Sequence, residues 1–491
     1  MRNWAIILFL LLTPAIYGQT KFDGSKISKA ASKVVKDIEE INVVMGNAVG
    51  FAGKRPKQYD NFVKLKTKAT TEELKELTNH PNPTVRSYAF WALSYDHSID
   101  LLPIVLDHIN DTALVATQFG CIGIEESVGD FFISVVTPRL IDLDSKKLDS
   151  VEFAILDSVL IYTPSDLWAR TAAIVRAEPT EGLYPRIREL VMKENNQAAL
   201  VPLAKYQKEQ DVELILKNLE EGELDEGSLF YSYKAITHFP HPAFLPLLEK
   251  NLQQALVDNT YFGRKWRGLY KAIASYKNDK AVELLQLSLT QAKYSDIEEY
   301  HIDLVFNALR EFKDPIYEDL LWKLWTEENR MTPDVFQYLS SINPDKTFEL
   351  AKESLKNANE FYNANVKLNL GNVDAPENLI SAMLKLVVKQ DREYGLAIIR
   401  KNIQEVDVLL FPIFADKAAE IKDQSFVEPL FDRLETESNP HIYLKAIEAL
   451  IAYQDTEINQ RILKARKKNK HLNKGWGAKA LDKLLQDHNI Q

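Results

Sequence analysis

A pattern that recurs about every 36 residues constrains this chain more than any other feature of its sequence. The pattern is a small residue, an aliphatic residue, two variable positions and an aromatic residue. Four clear copies and one looser copy begin at Ala235, Ala272, Ala308, Ala449 and Ala92. The two central gaps are 37 and 36 residues, and the outer gaps of 143 and 141 residues are each close to four units. One period therefore explains all five copies, as is typical of stacked-repeat proteins.

Each copy ends an amphipathic helix. Leu269, Ala272, Ile273 and Tyr276 are spaced at i, i+3, i+4 and i+7, which places them on one helical face. A short polar break follows, and a second apolar helix begins directly after it. Two such helices cannot bury both of their faces alone, so many pairs must stack. The sequence predicts an all-α fold, a right-handed α-solenoid of roughly 11–12 stacked helix pairs. We interpret the β-branched stretch 131–136 as a buried helix within this array.

Residues 82–93 resemble a HEAT repeat most clearly. Asn82 and Pro83 precede Val85-Arg86 and then small residues three apart, and Asn439-Pro440 opens a similar segment without the Arg. The resemblance covers roughly residues 70–490. It implies a protein-binding scaffold rather than an enzyme. A tetratricopeptide array is the alternative, since residues 344–355 could belong to one, but its Trp-Leu-Gly-Tyr set is missing.

The first 20 residues combine one charge at Arg2 with an apolar stretch from Trp4 to Leu12 and a small residue at Gly18. This order is typical of a secretory signal peptide. The apolar run is shorter than the about 20 residues that a spanning helix needs, although an N-terminal anchor is the alternative. We predict a signal peptide over 1–18 and an exported protein, periplasmic or extracellular. Gln19 follows the cut where a lipoprotein needs a cysteine, so we expect no lipid anchor.

Two regions follow the signal peptide. Residues 19–60 do not fit the repeat, and we expect a helical N-terminal cap with a helix over 27–45 and a loop over 46–58. Residues 61–491 form the predicted solenoid. Its last repeat and a basic C-terminal cap occupy about 440–491. No later window is apolar enough to span a membrane, so we expect the mature chain to be soluble.

Charge is distributed unevenly along the chain. Residues 69–460 hold 39 basic and 63 acidic residues, whereas 461–483 hold nine basic residues and one acid. Residues 21–68 are also basic, with eleven cations and five acids. The acidic middle argues against nucleic-acid binding. The basic C-terminal end is either a solvated helix cap or a contact surface for an anionic polymer, a membrane phosphate or an acidic protein.

We single out two candidate binding segments. The first mixes aromatic and basic residues, a combination that is common at interfaces, although the spacing of Trp266 also suits core packing. The second is the cluster of cations near the C-terminus. The candidate residues are Tyr261, Arg264, Trp266, Arg267, Arg466, Lys467, Lys468 and Lys470. We interpret Trp322 and Trp325, three apart in an apolar helix, as core residues.

Three sequence patterns resemble a phosphate loop, a zinc site and a reactive thiol, but each is better explained as an ordinary structural feature. Residues 46–55 lack the spacing and the hydroxyl residue of a phosphate loop, and a helix is expected before them rather than a strand. His238 and His241 lie in an inter-helix turn and lack two further zinc ligands. Cys121, the single cysteine, has no histidine nearby in sequence, and we expect a small buried thiol. We therefore predict no catalytic residue, cofactor or metal.

The function expected from these features is a non-enzymatic scaffold for a protein or peptide partner in the bacterial envelope. The alternative is a secreted carbohydrate-active enzyme of the α/α-toroid type, which is also built from helix pairs. Such an enzyme needs a pair of carboxylates or a Tyr-His-Arg set, held on long glycine-containing loops. The chain has only 17 glycines, which disfavours that alternative.

Overall fold

The computed structural model describes residues 21–137, 144–220, 226–259, 263–366 and 376–490. Within these ranges the chain forms 27 α-helices and three short β-strands, so the predicted helical class is confirmed. The chain divides into two compact units, Met1–Asn218 and Leu219–Gln491. The predicted signal peptide over residues 1–18 and the candidate residue Tyr261 lie outside the described residues.

The elements of the first unit are α1 Lys29–Ile41, β1 Val44–Val49, α2 Lys57–Lys68, α3 Thr71–Leu77, α4 Pro83–Leu93, α5 Leu102–Asp107, β2 Leu114–Gly120, β3 Ile122–Ser127, α6 Val128–Val136, α7 Ser150–Tyr162, α8 Trp168–Arg176, α9 Tyr184–Glu194 and α10 Leu200–Lys205. Helix α11, Val212–Glu220, runs across the boundary between the units.

The elements of the second unit are α12 Glu226–His238, α13 Leu245–Val257, α14 Gly263–Ala274, α15 Asp279–Leu287, α16 Ser295–Phe312, α17 Glu318–Glu328, α18 Pro333–Ile342, α19 Pro344–Lys356, α20 Ala358–Val366, α21 Pro376–Gln390, α22 Arg392–Glu405, α23 Phe411–Ile421, α24 Val427–Thr436, α25 Pro440–Ile451, α26 Thr456–Lys468 and α27 Gly475–Asp487.

Helix α4 is the centre of the first unit. Every residue from Thr84 to Leu93 is buried, as expected for a helix that is apolar on all sides. Its neighbours are α1, α2, α3, α6 and strand β2. The aromatic ring of Trp91 stacks on Phe62 of α2 with centroids 4.3 Å apart. The segment that most resembles a HEAT repeat is thus the core of this unit.

A three-stranded sheet in the first unit corrects two sequence expectations. Strand β1 pairs in parallel with β2, and β2 forms an antiparallel hairpin with β3. The expected loop over 46–58 therefore begins as a strand, and the helix expected over 27–45 ends at Ile41. The expected run of helices after residue 61 is interrupted at Leu114–Ser127. Strands β1 and β2 are about 70 residues apart in sequence, so their pairing cannot be recognised from the helical periodicity of neighbouring residues. The buried helix expected over 131–136 is confirmed as part of α6.

In the second unit, alternate helices pack against one another. Helix α14 contacts both α12 and α16, and α25 contacts both α23 and α27. Helix α24 likewise lies between α22 and α26. At these places, helices that are two apart in sequence therefore contact each other.

The repeated sequence motif has a common structural role. Tyr276 and Tyr453 end two of its copies, and Tyr206 ends a weaker copy that begins at Pro202. The hydroxyl group of each donates to a backbone carbonyl in an earlier inter-helix turn. These hydrogen bonds join Tyr206 to Thr180 at 2.8 Å, Tyr276 to His241 at 2.6 Å and Tyr453 to Asp423 at 2.7 Å. The aromatic position thus ties one helix pair to the turn of the preceding one.

The residue after the motif makes the tight turn. Gln207, Lys277, Lys313 and Gln454 each directly follow a motif aromatic, and their φ angles are 50°, 48°, 43° and 56°. This left-handed conformation ends a helix within one residue and usually employs glycine. Short turns without glycine explain how a glycine-poor chain forms so many helix pairs.

Candidate interaction surfaces

The C-terminal basic residues fall into two groups in the structure. Arg466 and Lys468 are engaged in ion pairs, with Asp482 at 2.5 Å and with Glu435 at 2.8 Å. Lys467, Lys470 and Lys474 are exposed and form no ion pair with any described residue. Lys464, Lys479 and Lys483 are likewise exposed and form no ion pair with a described residue, so six lysines share the unpaired positive charge of this region. Lys467, Lys470 and Lys474 are the three that lie at the end of α26 and in the turn after it.

Helix α26 and the turn after it hold the lysines in place. Buried Asn469 ends the helix, and its amide nitrogen donates to the carbonyls of Leu434 and Glu437, both at 2.8 Å. Arg466 and Asn473 exchange two hydrogen bonds across the turn. Cations in the last turn of a helix also complement its dipole. The basic charge therefore lies on a fixed backbone.

An exposed tryptophan lies beside these lysines. Trp476, at the start of α27, is 54% exposed, and its ring lies 5.1 Å from that of His441. Helix α27 packs closely on α25 at Gly477, where a β-carbon would come within 1.9 Å of the Tyr443 hydroxyl. We call Lys467, Lys470, Lys474 and Trp476 the C-terminal basic surface. Sequence analysis missed Trp476 because no local pattern distinguishes it from a core tryptophan.

The first predicted segment does not form a surface as a whole. Trp266 is buried and stacks on His301 with centroids 4.4 Å apart, so the prediction that it anchors a partner is wrong. Its burial follows from its position on the inward face of α14. Arg264 is exposed and Arg267 is partly exposed. The structure describes no hydrogen bond, ion pair or ring contact between α14 and the C-terminal basic surface.

The tryptophan pair assigned to the core is confirmed. Trp322 and Trp325 are buried on α17, and their rings stack with centroids 6.0 Å apart. The indole nitrogen of Trp325 donates to the hydroxyl of Ser354 at 3.0 Å. This hydrogen bond satisfies the polar atom that burial would otherwise leave unpaired.

A buried ionic cluster in the first unit joins separate elements. Asp111 accepts a hydrogen bond from Nη2 of Arg86 on α4 at 3.0 Å and lies 3.2 Å from Nδ1 of His108. Burial opposes ionisation of Asp111, but the hydrogen bond with His108 and the charge of Arg86 outweigh it and hold the pKa of this carboxyl below its usual value. All three side chains are closed off from solvent, so this cluster is suited to fixing the fold rather than to binding a substrate.

The second unit contains a similar cluster. Arg330 follows α17 and donates to Asp303 at 2.7 Å and to Glu299 at 3.1 Å, both on α16. Arg330 and Asp303 are buried. Breaking one partner of a buried ion pair is costly because the other charge is left without compensation. The cluster therefore locks α16 against the segment after α17.

Two clefts contain polar side chains. One in the first unit has a volume of about 400 Å³ and is lined by Tyr162, Gly182, Pro185, Arg186 and Glu189. The guanidinium group of Arg186 in this cleft forms ion pairs with Glu189 at 3.2 Å and with Glu194 at 2.9 Å. A smaller one in the second unit, of about 150 Å³, lies between α17, α19 and α20. In the first cleft the charged groups neutralise one another.

One exposed feature of the first unit was not predicted. Cys121 is exposed at the β2–β3 turn, so the expectation of a buried thiol is wrong. Phe51 in the turn after β1, and Ile122 and Ile124 in β3, are large exposed hydrophobic residues. We call these three residues the apolar tip. The alternation of β-branched residues around Gly120 is the signal that could have predicted the hairpin.

The turn after β1 also corrects the comparison with a phosphate loop. A strand, not a helix, precedes Gly50, although the motif spacing and the hydroxyl residue are still missing. His241 caps a short turn by accepting from the backbone nitrogen of Ala243 at 3.3 Å. Within the described ranges, no group of three His, Cys, Asp or Glu side chains is arranged to hold a metal ion.

Comparison with known proteins adds no assignment. No family model matches the chain, and neither the curated proteins nor the solved structures include a significant match to it. None of the helices in the described part of the chain combines the length and the apolar character needed to cross a bilayer.

Proposed function

We propose that this protein is an exported, non-enzymatic scaffold whose helix pairs stack as a HEAT-like solenoid and whose C-terminal basic surface binds an acidic segment of a protein partner. The observation that carries the proposal is the C-terminal basic surface itself. It combines an exposed tryptophan with three lysines that have no ion pair among the described residues. Tryptophan is among the side chains that most often dominate binding energy at interfaces, and exposed charges contribute specificity and a faster association.

The packing of the second unit supports the solenoid part of the proposal. In a solenoid, each helix contacts its equivalents in the neighbouring repeats. The contacts of α14 with α12 and α16, and of α25 with α23 and α27, follow this pattern. The tyrosine hydrogen bonds from the repeated motif to an earlier turn are a second link of the same kind.

The charge pattern supports an acidic partner. Lysines on a fixed backbone attract an acidic segment over several ångströms and accelerate its association. Trp476 can then bury its ring against apolar residues of that segment. The indole and the ammonium groups together select a partner that carries both acidic and apolar side chains.

A pull-down from the native envelope fraction tests this function. The bait is the chain that begins at Gln19, and captured proteins are identified by mass spectrometry at low and at high salt. We expect one stoichiometric protein partner, captured at low salt and lost at high salt because exposed charges are screened. The double variant Lys467→Glu, Lys470→Glu should lose this partner.

A matched variant controls for net charge. Lys385 and Lys389 are exposed on α21 in the same unit, and neither forms an ion pair with a described residue. The variant Lys385→Glu, Lys389→Glu has the same total charge and should retain the partner. Equal loss in both variants would show that only net charge matters. Capture of glycans alone would contradict the scaffold and favour an enzyme.

A further inference from the structure

The apolar tip of the first unit lies where two turns meet at one end of the sheet. Strands β1 and β2 are parallel, so the turns that follow them lie at the same edge. The backbone N–H of Gly50 donates to the carbonyl of Gly120 at 2.8 Å and joins the two turns. Phe51 is fully exposed, and Ile122 and Ile124 are 69% and 53% exposed. Large apolar side chains thus project into solvent from adjacent turns.

Three backbone hydrogen bonds close the β1 turn, while the N–H groups of Phe51 and Ala52 at its apex have no partner among the described residues. Val49 and Lys54 exchange two hydrogen bonds, at 2.9 and 3.0 Å, and the N–H of Gly53 donates to Gly50 at 3.0 Å. The left-handed glycines at positions 50 and 53 make this closed turn possible. The paired groups at the base of the turn can approach an apolar medium at little cost, whereas the apex N–H groups must keep their hydrogen bonds to water or to lipid headgroups.

Cations border the tip along the segment that follows β1. Lys54 and Lys57 are exposed and form no ion pair with a described residue, while Arg55 is held by Asp60 at 2.7 Å. The sequence between Glu40 and Asp60 contains no acidic residue. On β3, alternation places exposed Glu125 on the face opposite Ile122 and Ile124, whereas Glu126 lies on their face at the far end of the strand. Glu126 is partly buried, and this burial raises the pKa of its carboxyl. The tip therefore combines projecting apolar groups with a positive border.

We infer that the apolar tip docks on the surface of an anionic lipid bilayer, with Phe51 and Ile122 in the interfacial region and Lys54 and Lys57 at the headgroup phosphates. A few projecting apolar residues bordered by lysines match the depth and charge of an anionic interface. A protein partner would need a cavity deep enough to enclose a convex tip. The open edge of β3 could instead pair with a second copy of the chain, and the experiment below separates that outcome.

The single cysteine provides the probe. Cys121 lies in the β2–β3 turn next to Ile122 and is the only thiol in the chain, so one environment-sensitive fluorophore can be attached there alone. The labelled chain beginning at Gln19 is mixed with phosphatidylcholine vesicles, with or without about one third phosphatidylglycerol. We expect a blue shift and a gain in intensity with the anionic vesicles, and little change with neutral ones. Sedimentation of the unlabelled chain measures binding separately.

Two double variants test the assignment. Phe51→Ser with Ile122→Ser should weaken binding to the anionic vesicles at least about tenfold, since most of the buried apolar area is removed. Val151→Ser with Met192→Ser removes two exposed apolar residues, one from α7 and one from α9, and should leave binding unchanged. Lys54→Glu with Lys57→Glu should abolish the preference for anionic lipid. Urea unfolding of each variant checks that the fold is intact.

Three results would overturn the inference. The first is a fluorophore signal that does not respond to anionic vesicles. The second is vesicle binding that persists when Phe51 and Ile122 are serine, which would place the lipid contact elsewhere. The third is a shift that depends on protein concentration without lipid, which would assign the tip and the β3 edge to contact between two copies.

Discussion

At the scale of single residues, Gly477 is the position where a change as small as one methyl group should matter most. A β-carbon there would lie 1.9 Å from the Tyr443 hydroxyl and 2.8 Å from Pro440. Both belong to α25, so the two helices must move apart. We expect Gly477→Ala to lower the free energy of unfolding by about 1–3 kcal/mol, as overpacked sites do. Gly182→Ala, where no atom lies within 4 Å, is the control in urea denaturation.

Substitution of Tyr443 tests whether the stability lost in Gly477→Ala can be restored. The hydroxyl of Tyr443 is buried and has no hydrogen-bond partner among the described residues. Tyr443→Phe removes an unsatisfied polar atom, so it should be neutral or slightly stabilising by itself. In the Gly477→Ala background it should recover part of the lost stability. A double-mutant cycle in which the two changes are simply additive would contradict the close contact.

His301 provides a pH dependence at the same scale. Burial lowers the pKa of His301 from 6.5 to about 4. Between these values the unfolded chain takes up a proton that the folded chain does not, so the free energy of unfolding falls as pH decreases through this window. His301→Gln should reduce the loss of stability of the second unit between pH 7 and pH 5, by on the order of 1 kcal/mol. Identical pH dependence of urea unfolding in both proteins would refute this assignment.

The burial of a side chain could be predicted from the sequence where it depends on the residues around it in the same helix. Trp322 and Trp325 lie on one apolar face, and they are core residues. The prediction was wrong for Trp266, because the basic and aromatic residues around it in sequence suggest a surface, whereas its ring packs inward against His301. It failed for Cys121 because the surroundings of that thiol are created by strand pairing rather than by a helix.

At the scale of elements, the turns after the repeated motif carry a prediction. Gln454 has a φ of 56°, a left-handed conformation that is strained for a residue with a β-carbon. Its side chain is exposed, so packing contacts do not offset this strain. Gln454→Gly should raise the free energy of unfolding by about 0.5–1 kcal/mol, and Gln454→Val should lower it. Gln253→Gly in the interior of α13 is the matched control and should be destabilising by about 1 kcal/mol. Thermal unfolding measures all three, and the same sign at both positions would contradict the turn assignment.

Helix boundaries were the most predictable elements. The polar breaks between the predicted helices contain Asn or Asp. Asn82, Asn278, Asn439 and Asp455 each precede a helix and accept a hydrogen bond from its first turn. The three strands were not predicted. Their side chains alternate over only six or seven residues, and β1 and β2 are brought together by the helices between them.

At the scale of the whole molecule, the chain divides into two units that share helix-pair construction and differ in what they expose. The first unit carries the apolar tip and the second carries the C-terminal basic surface. Neither surface could be predicted completely from sequence, since each joins residues whose exposure depends on packing. The lysines were visible as a charge run, but only the structure distinguishes those engaged by Asp482 and Glu435 from the others.

Photo-crosslinking from position 476 in living cells tests the central claim most directly. A photoreactive phenylalanine analogue replaces Trp476 in one strain and Trp168, another exposed tryptophan, in a second strain. Our account predicts a discrete crosslinked protein with an acidic segment from position 476 and none from position 168. No crosslink at position 476, or the same products from both positions, would contradict a binding role for the C-terminal basic surface.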